Sequence, residues 1–304
     1  MQIECRENYE IKTHTSFKIG GVVRRVWFPK TKDELIFLLN DLKEYILLGN
    51  CSNILFSSNG YDGDVILTTQ MKNFEINGTK IVADCGVKGP LLSQKACENS
   101  LTGFEFMIGF PGSIGGEVFM NASCHGQCIS DYLVSCCLFD IEKKEVVYKN
   151  KLEMSFGYRS SILQEGKYIL LNAEFELEKA DKEEIQSRMD KNSAFRKDKQ
   201  PSLAMPNAGS VFKNPENDSA GRLLDSIGAK DFNLDRVRVY EKHANFIVNK
   251  GNATSEDVLE LMVKMFTAVK ENYKIELYPE VIFLGDKTEK EEGLCKILYQ
   301  KTQK

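Results

Sequence analysis

The chain has 304 residues, 42% of them hydrophobic and 28% charged, the balance of a folded protein and not of a disordered one. Forty basic against forty-four acidic side chains leave a net charge of -4, which excludes a broad positive field for nucleic acid or an anionic membrane; any phosphate site must be local. The apolar runs, such as Ile46-Leu47-Leu48 and Tyr168-Ile169-Leu170-Leu171, fall well short of the roughly 20 residues that span a bilayer, and the acids of the first seven residues do not suit a secretory leader. We therefore expect a cytoplasmic protein without membrane or nucleic-acid partners, of two or three domains.

The elements follow in chain order. Val22 to Phe28 reads as a strand ended by Pro29, Thr31 to Lys43 as a helix opened by a Thr31/Glu34 capping box, and Tyr45 to Leu48 as a short buried strand. That strand opens onto the small-residue loop Gly49-Asn50-Cys51-Ser52-Asn53, and Val65 to Thr68 is the next strand, so the segment is a βαβ unit with a loop at a strand end. Lys80 to Cys85 predicts a strand, Leu91 to Glu98 a helix, Leu133 to Asp140 with Glu145 to Lys149 a hairpin, and Tyr168 to Leu177 a long strand. Lys182 to Lys199 is a charged helix ending before Pro201, read here as a hinge. Ser219 to Ile227, Val237 to Tyr240, Asn245 to Val248, Ser255 to Glu271 and Lys274 to Leu284 complete a C-terminal α+β unit.

Nine cysteines are an odd number, and in a reducing compartment buried packing suits them better than a disulfide framework. Cys124 and Cys128 could share a helix face beside His125 and so invite a metal reading; against it, no CxxC pair exists and His14 and His243 are far off in sequence, so no metal is expected. Cys136-Cys137 lies in a β-prone stretch where alternation separates the two thiols.

Glycine clusters mark the ligand chemistry. Gly109, Gly112, Gly115 and Gly116, with Pro111 and Ser113 among them and Asn121 shortly after, can expose successive backbone N–H groups as an anion-binding nest; the alternative is a glycine-rich turn around a bulge. The spacing is not the G-x-G-x-x-G of a nicotinamide-binding unit. With Gly49 to Asn53 as a second cradle upstream, a large nucleotide cofactor is favoured.

The catalytic candidates lie further on. In Pro206 to Pro215, Gly209 permits close backbone approach, Ser210 presents a transferable proton and Lys213 a point charge for phosphate. Arg159 sits in the short loop Phe156 to Ser161, where its guanidinium could meet a carboxylate or simply solvent. Glu280 lies in the apolar stretch Leu277 to Phe283, where an acid faces either a cleft or the solvent side of a strand.

These residues carry a resemblance over nearly the whole chain. Thr15 to Gly21, Gly49 to Asn53, Gly109 to Ala122, Gly157 to Ser160, Ala208 to Pro215, Ala220 to Asp225, Lys242 to Asn249 and Glu280-Val281 follow in order the landmarks of the UDP-N-acetylenolpyruvoylglucosamine reductase family, and the chain resembles its shorter, type II branch. The resemblance implies an α+β fold with a two-subdomain FAD-binding region of the PCMH or vanillyl-alcohol-oxidase type, here residues 1–69 and 70–190, and a substrate domain over 191–304. It implies non-covalent FAD, NADPH as hydride donor in alternation with substrate, UDP-N-acetylglucosamine enolpyruvate as substrate, and a monomer active in peptidoglycan precursor synthesis.

By the same resemblance, hydride passes from flavin N5 to C3 of the enolpyruvyl group, Ser210 protonates C2, and Arg159 with Glu280 stabilises the enolate-like charge. Gly49, Asn50, Cys51, Ser52, Asn53, Gly109, Pro111, Gly112, Ser113, Gly115, Gly116 and Asn121 would contact FAD, and Tyr158, Lys213, Asn214 and Arg222 the substrate. The chain departs from the family pattern at His14, at Asn50-Cys51 and over 233–240. Two other classes stand beside this reading: a different flavin oxidase or dehydrogenase on the same fold, and a non-catalytic nucleotide-binding protein.

Overall fold

Strand Val22–Phe28 forms where apolar side chains recur on one face, burying Val23, Val26 and Phe28 and exposing Val22 and Arg24. Helix Lys32–Asp41 follows, its Thr31 hydroxyl accepting from Glu34 N at 3.2 Å and its Leu35, Leu38 and Leu39 buried. The expected capping box closes one residue early, because the Glu34 carboxylate accepts from Lys30 N and not from Thr31.

The structure is a computed structural model that describes residues 2–202 and 204–299. It divides into two units, one comprising Met1–Arg6, Val26–Asn50 and Asp64–Arg196, the other Glu7–Arg25, Cys51–Gly63 and Lys197–Lys304. Each is therefore assembled from stretches distant in sequence. The boundary expected after residue 69 falls inside the first unit, and the change at Arg196 and Lys197 lies within helix Lys182–Lys199.

The first unit is built on a five-stranded antiparallel sheet in the order Glu145–Asn150, Leu133–Asp140, Tyr168–Glu176, Lys80–Asp84, Phe74–Asn77. Cys136 and Cys137 point to opposite faces of Leu133–Asp140 and both are buried, since both faces of this inner strand are covered. Helix Gly89–Glu98, with Pro90 in its first turn, buries Leu92 and Ala96 in the same core as Phe104, Phe106, Ile114, Val118 and Phe175. Tyr45–Leu48 pairs in parallel with Asp64–Leu67, which puts the loop after Leu48 at the carboxyl end of a parallel strand. Open sheets characteristically bind ligands at such ends.

In the second unit, helix Ser255–Tyr273 lays Val258, Leu259, Leu261, Met262, Met265, Phe266 and Val269 into one core, capped by a reciprocal Thr254/Asp257 box. Hairpin Val237–Tyr240 and His243–Asn249 and helix Ala220–Ser226 pack into that core. Ile54–Phe56 pairs in parallel with Ile282–Leu284. The C-terminal helix Glu289–Leu298 is tied down by buried Glu291, which accepts from Ser57 Oγ at 2.9 Å, from Thr288 N at 2.8 Å and from Ser255 Oγ.

Three expectations change. Cys124 and Cys128 lie on a two-stranded hairpin, Ser123–Cys124 against Gln127–Cys128, and not on a helix, because Gly126 at φ 80° and His125 at φ 54° turn the chain. Of Lys274 to Leu284 only Ile282–Leu284 is a strand, since Pro279 has no amide to donate to a ladder. Glu280 accordingly precedes the strand instead of lying within it. Among the described residues no group of three or more His, Cys, Asp and Glu is placed to hold a metal, and no helix is long and apolar enough to cross a membrane. All nine cysteines are free thiols.

Candidate active site

In the first unit the two glycine clusters come together. Asn50 Nδ2 donates to Pro111 O, and a Cβ on Gly49 would lie 2.5 Å from Ser113 Oγ, so the loop after Leu48 runs against the glycine-rich run with no room for a side chain. The glycines divide by role. Gly115 packs on Cys85, where an added Cβ would meet Cys85 Cβ at 3.1 Å, whereas an added Cβ on Gly116 would meet nothing within 4 Å. Gly109 lies under the stem of Arg196, 2.9 Å from where its own Cβ would be. The expected row of ligand-facing amides is narrower than the sequence suggests: Ile114 N and Gly115 N donate to Val87 O and Cys85 O, both at 2.8 Å.

A nucleotide cofactor fits this cradle. Ser113 Oγ is buried with no hydrogen-bond partner among the described residues, directly beside Gly49, and buried hydroxyls are rarely left that way in a complete protein. Both carboxyl oxygens of Glu117, in the short helix Ile114–Phe119, are likewise buried and unbonded, and burial pushes this carboxyl up from 4.5 to about 8. Gly89 and Gly112 face Glu117, and a Cβ at Gly89 would collide with the carboxyl.

Arg159 sits in a tight turn closed by Gly157 N to Ser160 O at 3.1 Å and Ser160 N to Gly157 O at 3.3 Å. Its φ of 52° is left-handed, a strained conformation for a residue with a Cβ. Neighbouring side chains hold the turn: Asn121 Nδ2 donates to Gly157 O at 3.0 Å and Gln164 Nε2 to Arg159 O at 3.0 Å. Asn121 also accepts from Ser130 N at 3.3 Å, so its amide is engaged on the protein at both ends. The Arg159 guanidinium donates through Nη1 to Ser123 Oγ at 2.9 Å, and its Cζ lies 5.8 Å from the centre of the exposed Tyr158 ring.

In the second unit the backbone assembles the other two catalytic candidates. Ser210 bridges Phe246, Phe212 bridges Pro279, Val211 N donates to Asn245 O at 2.9 Å, and Glu280 N donates to Val211 O at 2.8 Å. Residues 210–213 thus run as an irregular strand between His243–Asn249 and 278–280, and Glu280 is bonded to the residue after Ser210. Asn53, which belongs to this unit, donates through Nδ2 to Glu280 O at 2.9 Å.

Gly209, at φ 75°, uses the left-handed freedom that its loop requires. Cys51 is buried at φ 52° and burial pushes its thiol up to about 12, which keeps it protonated and unreactive at neutral pH. Ser52 is half-buried beside it.

Lys213 ends the irregular strand, its amide donating to Tyr278 O at 2.8 Å. Asn214 turns its Oδ1 to Ala220 N at 3.0 Å, at the start of helix Ala220–Ser226. Arg222, one turn into that helix, is paired with Asp218, Nε donating to Oδ1 at 2.7 Å and Nη2 to Oδ2. This pairing holds the Asp218 carboxyl down to about 2.

Sequence reasoning did not single out Ser123, Gln164 or Asn245, each of which holds a candidate residue. Ser123 and Asn245 fall inside or beside recognised motifs, but nothing in their spacing shows what they grip.

Glycine loops meeting at the end of a parallel strand, beside the unbonded Ser113 hydroxyl, suit a nucleotide-cofactor domain, and a family model described as the FAD binding domain matches residues 23–143, which makes this a flavoprotein fold. A second family model, described as UDP-N-acetylenolpyruvoylglucosamine reductase, C-terminal domain, matches residues 200–284. Among curated relatives, the UDP-N-acetylenolpyruvoylglucosamine reductase of Caldicellulosiruptor bescii is 41% identical over 93% of this chain and 92% of its own length. That of Caldanaerobacter subterraneus subsp. tengcongensis is 40% identical over 92% of this chain and 93% of its own. Among solved structures, the enzyme of the same name from Thermus caldophilus superposes with a TM-score of 0.80 at 33% identity, covering 93% of this chain and 99% of that one. The chain belongs to the UDP-N-acetylenolpyruvoylglucosamine reductase family.

Proposed function

We propose that this chain is a cytoplasmic, monomeric enzyme that reduces UDP-N-acetylglucosamine enolpyruvate to UDP-N-acetylmuramate with NADPH, for peptidoglycan precursor synthesis. The observation that supports the reading, in a chain of this family, is the Glu280 N to Val211 O bond, which ties the backbone of Glu280 to the strand that bears Ser210. When bound, FAD supplies a hydride acceptor for NADPH and a hydride source for C3 of the enolpyruvyl group. Gly49, Asn50, Pro111, Gly112, Ser113 and Gly116 would hold it, with Cys51, Ser52, Asn53, Gly109, Gly115 and Asn121 shaping the loops.

The protein's own part is electrostatic and protonic. Addition at C3 sends negative charge into the C2 and carboxylate system, and the Arg159 guanidinium holds that carboxylate with paired donors. Glu280, as the protonated acid, donates a hydrogen bond to the developing charge, an effect worth about 3 to 4 kcal/mol for a well-placed donor. Ser210 gives its hydroxyl proton to C2, completing the addition across the double bond, and is reprotonated from solvent after product leaves. Proton transfer of this kind contributes about 10²- to 10⁴-fold. Lys213, Asn214 and Tyr158 would contact the diphosphate and sugar, and Arg222 would do so by exchanging its Asp218 partner for phosphate.

The test is an anaerobic stopped-flow trace of the holoenzyme, reduced with one equivalent of NADPH and mixed with UDP-N-acetylglucosamine enolpyruvate. Fast return of the oxidised-flavin band, slowed about 10²- to 10⁴-fold in Ser210→Ala, is expected. Flavin that reoxidises only when oxygen enters would overturn the proposal.

A further inference from the structure

We infer that Ser123 is a positioning residue for the guanidinium of Arg159, an inference that rests on the proposed role of Arg159 as the carboxylate holder. Residues 121–123 grip the Arg159 turn twice: Asn121 holds its backbone through Gly157 O at 3.0 Å, and Ser123 holds the far end of the side chain. At that far end Nη1 donates to Ser123 Oγ at 2.9 Å, and Nη1 and Nη2 both lie 3.4 Å from Ser123 O. Two acceptors on one residue, one hydroxyl and one carbonyl, fix the rotation of the terminal plane as well as its place.

Ser123 is itself held, because it opens the hairpin in which it pairs with Cys128. The geometry suits a long side chain whose rotamer freedom would otherwise have to be lost on each encounter with substrate. The left-handed turn sets where the side chain leaves the backbone, and Ser123 sets where its charge ends. Because the Ser123 hydroxyl accepts from the arginine, removing it takes away a charge-assisted bond while leaving the carbonyl in place.

Two variants and two readouts decide the matter. In the first, the half-reactions of Ser123→Ala are compared with wild type: oxidation of the reduced holoenzyme by substrate should slow about ten- to a hundredfold, while flavin reduction by NADPH and the melting temperature stay unchanged. Ser123→Thr, which keeps the hydroxyl, should restore the oxidative rate. In the second, ¹⁵N spectra of arginine-labelled holoprotein without substrate should show distinct, slowly rotating Nη signals for Arg159 in wild type and Ser123→Thr, and merged signals in Ser123→Ala.

An oxidative half-reaction as fast in Ser123→Ala as in wild type, or Nη signals that do not change, overturns the inference. A wild type that is not reoxidised by the substrate overturns the proposed reaction instead, and the Nη spectra still decide the hydrogen bond on their own.

Discussion

Asn245 clamps both polar groups of one buried residue, Phe212: its Oδ1 accepts from Phe212 N at 3.0 Å and its Nδ2 donates to Phe212 O at 2.8 Å. Since Val211 N also donates to Asn245 O at 2.9 Å, a single asparagine fixes the irregular strand that carries Ser210. A side-chain amide mimics the missing neighbour strand here, which lets 210–213 leave regular sheet geometry without orphaning its backbone.

Asn245→Ala should therefore destabilise the second unit by about 2 to 4 kcal/mol, because it leaves a buried N–H and C=O unpaired. The same variant should lower kcat, through loss of Ser210 placement. Urea unfolding and steady-state rates check both; a variant of wild-type stability would mean that water replaces the clamp.

Glu280→Gln keeps the size and backbone bonds of Glu280 but removes its acidity. The expected loss in kcat is about 10²- to 10³-fold, with flavin reduction by NADPH unaffected. Half-reactions measured separately distinguish this from a general loss of active protein.

Gly49→Ala should lower both stability and flavin content, since the added Cβ would lie 2.5 Å from Ser113 Oγ. Adding Ser113→Ala removes the struck atom and leaves Ser113 Cβ 3.9 Å away, so the double variant should recover the stability but not the full flavin content. Thermal melts and the ratio of visible to ultraviolet absorbance report the two effects; equal defects in the single and double variants would disprove the steric account.

The pH dependence centres on Glu117. Burial raises its carboxyl from 4.5 to about 8, so the folded protein favours the neutral form. Its contribution to stability is complete below pH 4.5 and is lost as pH rises to about 8, at about 1.4 kcal/mol for each pH unit of that interval. Glu117→Gln cannot ionise and escapes this loss. The stability difference between the variant and wild type should thus grow in favour of the variant by several kcal/mol from pH 5 to pH 8.5, measured by denaturant unfolding. A difference that does not change with pH would show that Glu117 titrates normally.

The chain by itself determined the local elements wherever periodicity and end signals agreed. Strand Val22–Phe28, hairpin Leu133–Asp140 with Glu145–Asn150, and helix Ser255–Tyr273 all stand where alternation, turn residues and caps place them. The motifs carrying Arg159, Ser210, Glu280 and the glycine loops were also legible, because family landmarks and backbone-permissive residues are written in single positions. Other features were decided only by tertiary structure. Glycines of one cluster divide between packing on Cys85 and open space, Glu280 is tied by its amide to Val211 O instead of lying in a strand of its own, and Asn245 and Ser123 grip residues far away in sequence. The physical reason is the same in each case: propensity and capping act over a few residues, whereas a hydrogen bond across 33 or 36 positions, as at Asn245 and Ser123, depends on which chain segments the core brings side by side.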